Sequence, residues 1–176
     1  MTHGRDEIRI EVAHSSLGLV LVAISRQGLR TVQLGDDTRT LHAELKNRFP
    51  DAEIVTSDEH TKSVAEKVVA FIDTSEPIDV ALDIRGTPFQ QSVWEGLQSI
   101  PRGSTLSYTA LAAKIGKPAA VRAVAHACAE NPLAVVIPCH RAVRSDGSLA
   151  GYRWGLDRKK ALLAREAEQS RSSVSA

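Results

Sequence analysis

Cys139 and His140 adjoin in "AVVIPCHRAV", residues 134–143, with Arg141 and Arg144 close behind and Lys159, Lys160 and Glu166 on a later segment. A thiol at neutral pH is mostly protonated and only its thiolate is a strong nucleophile, so a reacting cysteine needs a base or positive surroundings. Both are available here: His140 to take the proton, Glu166 to orient it, and cations nearby. Adjacent residues of an extended strand face opposite sides, so Cys139 and His140 cooperate only where the chain bends or a water bridges them. Pro138, which removes a backbone donor, favours such a bend. On residue types alone a second reading stands beside this one, with Cys139 as a small buried apolar side chain and His140 as a satisfied core residue.

The only other thiol is Cys128, eleven positions earlier. Two cysteines without a CxxC pair fit neither a structural disulfide in a reducing compartment nor a zinc site, and no metal or cofactor is expected.

Elements must hold these residues in place. "IRIEVAHSSLGLVLVAISRQGLRTVQLG" alternates apolar and polar residues with breaks at Ser15–Gly18 and Arg26–Gly28, which predicts a three-stranded antiparallel meander. "DDTRTLHAELKNRFP" has Asp caps, Leu41 and Leu45 four apart and a stop at Pro50, predicting a short amphipathic helix. A second helix is expected at "SVAEKVVAFID" and a strand at "IDVALDIRG". From Pro88 the pattern turns helical: "PFQQSVWEGLQSI", then "SYTALAAKIG" and "KPAAVRAVAHACAEN" joined at Gly116-Lys117-Pro118, the spacing of a helix-turn-helix. "LAVVIPCHRAVRS" reads as a strand, "LDRKKALLAREAE" as a last helix and "QSRSSVSA" as a disordered tail. The domains expected are thus 1–85, 86–169 and a tail, 170–176.

Composition, 43% hydrophobic and 24% charged, is that of an ordinary globular protein, and no apolar run reaches the roughly 20 residues that a membrane span needs. With no secretory signal at the start, a cytoplasmic protein is expected. The net charge of +1 hides an asymmetry: residues 1–86 carry 10 basic and 15 acidic side chains, residues 87–176 carry 12 and 6. A basic second half points to a polyanion, nucleic acid first, with a merely solvated basic face as the other reading.

Beyond these patterns, "IPCHRAV" together with the run from "FQQSVWEGLQSIPRG" to "LDRKKALLAREAE" closely resembles the O6-alkylguanine-DNA alkyltransferases, also called methylated-DNA–protein-cysteine methyltransferases. "ALDIRGTPFQQSVW" and "GYRWG" look most like the C-terminal module of bacterial Ada-type proteins. The resemblance implies an α/β N-terminal lobe, a three-stranded antiparallel sheet plus helices and RNase H-like. A mostly helical, winged helix-turn-helix-like catalytic domain that binds DNA would follow it. It implies irreversible, single-turnover transfer of a methyl group from O6-alkylguanine, and from O4-methylthymine, to Cys139.

By the same resemblance His140 and Glu166 form the relay, Tyr108 and Lys159 lie near the leaving base, and Asn131 braces the turn before the cysteine. Arg122 fills the stack vacated by a flipped base, Tyr108 promotes the flip, and Ala120, Val121, Ala123 and Ala125 allow close approach to the minor groove. Cys128, Ala134, Ala142, Tyr152, Arg153 and Trp154 are the expected pocket residues, Cys128 as packing. Ala134 and Trp154 stand where relatives that accept benzyl groups have proline and glycine, so methyl is expected to transfer well and benzyl poorly. Some relatives hold zinc through N-terminal cysteines, which are absent from residues 1–127, so no zinc is expected. The partner implied is double-stranded DNA containing O6-alkylguanine, with no membrane and no obligate protein partner, and the chain is expected to be a monomer. It would be a stand-alone repair protein or a piece of a longer one. The rival functions are a non-catalytic sensor of alkylated DNA and a Cys-His hydrolase.

Overall fold

The structure, a computed structural model, describes residues 5–174. The chain divides into two compact units between Ile84 and Arg85.

In the first unit, β1 (Glu7–Ser15), β2 (Gly18–Ser25) and β3 (Gly28–Gly35) form the antiparallel meander that the alternation predicts. A fourth strand, β4 (Glu53–Val55), runs parallel to β1 and completes the order β3-β2-β1-β4. Three residues with no buried member carry too little alternation to announce a strand. Helices α1 (Thr38–Arg48) and α2 (Glu59–Thr74) are each opened by an aspartate, Asp37 accepting from the Thr40 N–H and Asp58 from that of Thr61. Leu41 and Leu45 of α1 pack with Ile8, Leu21 and Ala23 of the sheet, and α2 buries Val64, Val68 and Ile72. The strand expected up to Gly86 is reduced to one bridge. Leu29 N–H donates to the Ala81 carbonyl at 2.8 Å and Asp83 N–H to that of Leu29 at 2.9 Å. There the Asp83 carboxylate turns to the buried Ser25 hydroxyl, at 2.5 Å.

The second unit is helical. In α3 (Pro88–Gln98), Thr87 and Gln90 cap each other reciprocally and Pro88 occupies the first turn, where its missing N–H costs nothing. Helices α4 (Tyr108–Lys114, capped by Ser107) and α5 (Val121–Ala129) form the helix-turn-helix and both pack against α3. Gly96 of α3 makes that packing possible, because a Cβ there would lie 2.8 Å from Leu111 of α4. Trp94 of α3 ties itself to α5 by donating its indole N–H to the Ala127 carbonyl, at 2.9 Å.

Two expectations fail in this unit. The stretch 133–145 is not a continuous strand; within it only β6 (Ala142–Val143) is a strand, paired in parallel with β5 (Leu106–Ser107). The last helix, α6 (Leu156–Val174), runs through the segment expected to be a disordered tail from 170, whose final residues 175 and 176 lie outside those described. In that last stretch the Ser172 and Ser173 hydroxyls fold back onto the helix and donate to the Glu168 and Gln169 carbonyls, so these polar side chains are accommodated within the helix. A helix can end in polar residues wherever its own ladder is satisfied.

Candidate active site

Between Asn131 and Cys139 the chain makes two three-residue turns in place of a ladder. Val136 N–H donates to the Ala134 carbonyl, and Cys139 N–H to that of Ile137, both at 2.8 Å. The first turn puts Val135 at φ 68°, a left-handed conformation that costs a β-branched residue on the order of 1–3 kcal/mol. The second is centred on Pro138, at φ −82° and ψ 63°. Asn131 offsets this strain. Its side-chain oxygen accepts from Leu133 N–H at 2.9 Å, and its amide donates to the Ile137 carbonyl at 2.7 Å and to Cys139 Sγ at 3.2 Å. One fully buried amide therefore fixes both the turn and the thiol. The bend anticipated from Pro138 is present, and Cys139–Arg141 follow as a single 3₁₀ turn.

His140, fully buried, bonds through Nε2 to Glu166 Oε1 at 2.8 Å. Glu166 on α6 also accepts from Arg141 at both oxygens, at 3.0 Å from Nε and 2.8 Å from the terminal nitrogen, and Arg141 donates again to the Ile100 carbonyl at 2.7 Å. This two-pronged clamp was missed in the sequence because residues 25 apart share no periodicity. Its signal was an arginine next to a histidine that already needed a carboxylate.

The electrostatics of the site follow from burial. Loss of water pushes the Cys139 thiol up to about 11, opposed by the Asn131 bond and the Lys159 charge. Burial also lowers His140 below its ordinary value, against the pull of Glu166. For Glu166, burial alone acts upward, but the bonds and charges of His140 and Arg141 outweigh it and hold the carboxyl at about 2. The resting site is thus a protonated thiol beside a neutral imidazole, with an ionised carboxylate behind it. Because Nε2 is engaged by Glu166, Nδ1 is the nitrogen left to accept a proton, and it has no partner among the described residues.

Cys139 opens onto a cavity of about 400 Å³, which Tyr108, Ala125, Cys128, Ala129, Ala150, Gly151, Tyr152 and Arg153 also line. Of the expected pocket residues, Cys128, Tyr152 and Arg153 are there. Ala134, Ala142 and Trp154 are not: all three are buried in the surrounding packing. Ala134 is spent on the turn before the thiol, and Ala142 on β6. Trp154 packs edge-on against Tyr152, which does line the cavity, with ring centres 5.3 Å apart and planes at 72°. Ala129, Ala150 and Gly151 were not foreseen, since small residues on a wall carry no chemical signal.

Lys159 is likewise fully buried and off the cavity wall, donating to the Ala142 carbonyl at 2.8 Å. Its charge bears on Cys139. On α5, Arg122 and Ala123 are exposed while Val121 and Ala125 are half-buried, and Ala120 precedes the helix with no side-chain cap. Tyr108, first residue of α4, is held near the thiol because β5 pairs with β6 immediately after the 3₁₀ turn.

Residues 88–168 match the family model described as the DNA-binding domain of 6-O-methylguanine DNA methyltransferase. The chain is 50% identical over 169 residues to the bifunctional transcriptional activator/DNA repair enzyme Ada of Escherichia coli, covering 94% of this chain and 48% of that protein. It spans only about half the length of several such curated relatives. It is 37% identical over 157 residues to the methylated-DNA–protein-cysteine methyltransferase of Methanosarcina barkeri, covering 89% of this chain and 95% of that one. Among solved structures, Mycobacterium tuberculosis OGT in complex with DNA superposes with a TM-score of 0.75 at 33% identity, over 92% of this chain and 93% of the other. With near-complete coverage in both directions added to the PCHR turn and its relay, the chain belongs to the methylated-DNA–protein-cysteine methyltransferase family.

Proposed function

We propose that this chain repairs alkylated DNA by direct reversal, moving the methyl group of O6-methylguanine, and of O4-methylthymine, onto Cys139. The observation that carries this reading is a thiol on the wall of a cavity, braced by Asn131 and backed by His140 and Glu166.

The reaction balances without a cofactor. Cys139 Sγ attacks the methyl carbon in line, the S–C bond forms as the C–O6 bond breaks, and the electron pair passes into the purine. The thiol proton goes to His140 Nδ1, directly or through a water, while Glu166 stabilises the imidazolium that forms. Tyr108, whose hydroxyl burial pushes up to about 12, stays protonated and donates to the leaving base. Guanine then recovers one proton and the relay returns to neutral. Lys159 acts through its field on the sulfur rather than by touching the base.

A thioether offers no good leaving group, so each molecule acts once. The O6 atom is out of reach in stacked duplex, so the base must be flipped into the cavity. Arg122 is the exposed cation on α5 to fill the gap, and the small side chains Ala120, Val121, Ala123 and Ala125 admit a minor-groove wall closely. Attraction from phosphates makes binding nearly indifferent to sequence and sensitive to salt.

Intact-protein mass spectrometry after incubation with a duplex containing one O6-methylguanine tests this. The wild type is expected to gain one methyl, about 14 Da, and never two, and Cys139→Ser none. Repeated turnover, or tight binding without any mass gain, would overturn the reading in favour of a hydrolase or a sensor respectively.

A further inference from the structure

Arg153 is exposed at the mouth of the cavity and has no hydrogen bond or ion pair among the described residues. Its neighbours differ: Arg141 is locked to Glu166, and Arg158 donates to the Trp154 carbonyl at 2.8 Å. What Arg153 does have is a platform. Its guanidinium carbon lies 5.7 Å over the Trp154 ring, and that ring is itself buried and braced edge-on by Tyr152.

An arginine stacked on a fixed indole has already lost much of its rotamer freedom, yet keeps all five N–H donors for something else. Their planar fork matches a phosphate better than it matches any single acceptor. This also accounts for Trp154, which the cavity wall does not use.

We propose that Arg153, braced on Trp154, clamps a phosphate flanking the extruded nucleotide and so holds the alkylated base against Cys139. The inference rests on the repair reading above: once the base is in the cavity, its sugar and two flanking phosphates remain at the mouth, within the zone that Arg153 commands. The arginine also bears on the sulfur, as one of the charges drawing the Cys139 thiol down against the stronger effect of burial. An experiment must separate clamping from thiol activation.

Free O6-methylguanine base carries the reactive methyl and no phosphate, which makes the separation clean. Rates of methyl gain by the full chain are measured with the duplex and with the free base for wild type, Arg153→Ala and Arg153→Lys, with circular dichroism to confirm folding. The alanine variant is expected to lose at least about tenfold more rate on the duplex than on the free base, with lysine recovering part of the difference. The slope of log rate against log salt on the duplex is expected to become shallower by about 0.9, the share of one phosphate. A neutral methylphosphonate at one flanking position is expected to slow the wild type and leave Arg153→Ala little further affected.

Equal losses on both substrates would assign Arg153 to thiol activation and overturn the clamp. Equal methylphosphonate penalties in wild type and variant would do the same. If the wild type takes methyl from neither substrate, the repair reading itself fails and the clamp falls with it.

Discussion

Glu166→Gln changes one oxygen to an amide and tests whether the carboxylate is the electrostatic anchor of the site. Glu166 is 6% exposed and receives three charge-assisted bonds, one from His140 and two from Arg141. Its pKa is held at about 2 against an ordinary 4.5. The difference corresponds to about 3 kcal/mol of folding stability, at about 1.4 kcal/mol per pKa unit, within the range found on breaking buried ion pairs. The sign is fixed by the depressed pKa: this stability is complete above the unfolded value near 4.5 and is lost as pH falls through the folded value near 2. Urea unfolding of wild type and variant from about pH 7 to about pH 3 should therefore show a gap of about 3 kcal/mol at neutrality. Below about pH 4.5 it should shrink by about 1.4 kcal/mol per pH unit, because a protonated glutamate is nearly the amide's isostere. Adding Arg141→Met should couple: the double variant should cost clearly less than the two singles summed, since the glutamine no longer strands a buried cation. A gap under about 1 kcal/mol at neutrality, or one that does not narrow in acid, would refute the reasoning.

With the Cys139 thiol at about 11, alkylation by iodoacetamide should rise about tenfold per pH unit from about pH 7 to about pH 10, followed by mass spectrometry in a Cys128→Ser background. Cys128, which burial and then the nearby Cys139 push up to about 12, should react about tenfold more slowly again in the reciprocal Cys139→Ser variant. Asn131→Ala should cost about 2–4 kcal/mol in urea unfolding, because it leaves the buried Leu133 N–H unpaired and removes one of the two bonds that the Ile137 carbonyl accepts, the other coming from Cys139 N–H. Thr87→Ala, remote from the cavity, should cost only about 1 kcal/mol through the lost capping box and leave the methyl-transfer rate unchanged in the mass assay.

Which parts were legible follows from where the signal lies. The meander, α1 and the helix-turn-helix carry periodicity and capping residues, which are local properties of the chain. The run 133–143 carries an apolar composition that fits a strand, but its backbone bonds are taken by the Asn131 side chain and by its own turns, which no count of apolar residues reveals. For the same reason Cys139 and His140 were legible as candidates from their types only beside a buried-core reading, and the wall that Cys139 faces was not legible at all. Ala129, Ala150 and Gly151 reach the cavity by their place in three dimensions, while Trp154 is buried off its lining, packed edge-on against Tyr152.

The direction of the two pKa shifts at the centre constrains how the site works. Burial raises the Cys139 thiol to about 11 and lowers His140 below its ordinary value, so both shifts oppose moving the proton from thiol to imidazole at rest. A stored thiolate–imidazolium pair is therefore not the resting state, and burial that removes the thiolate also shields the sulfur from stray electrophiles. On the proposed repair function, the alkylated base supplies what the relay lacks: guanine, as it leaves, takes up the proton that His140 holds only briefly. Reactivity is then conditional on a base that both fills the cavity and can accept that proton. On that proposal, a protein consumed by its own reaction has reason to keep Cys139 unreactive until the condition is met.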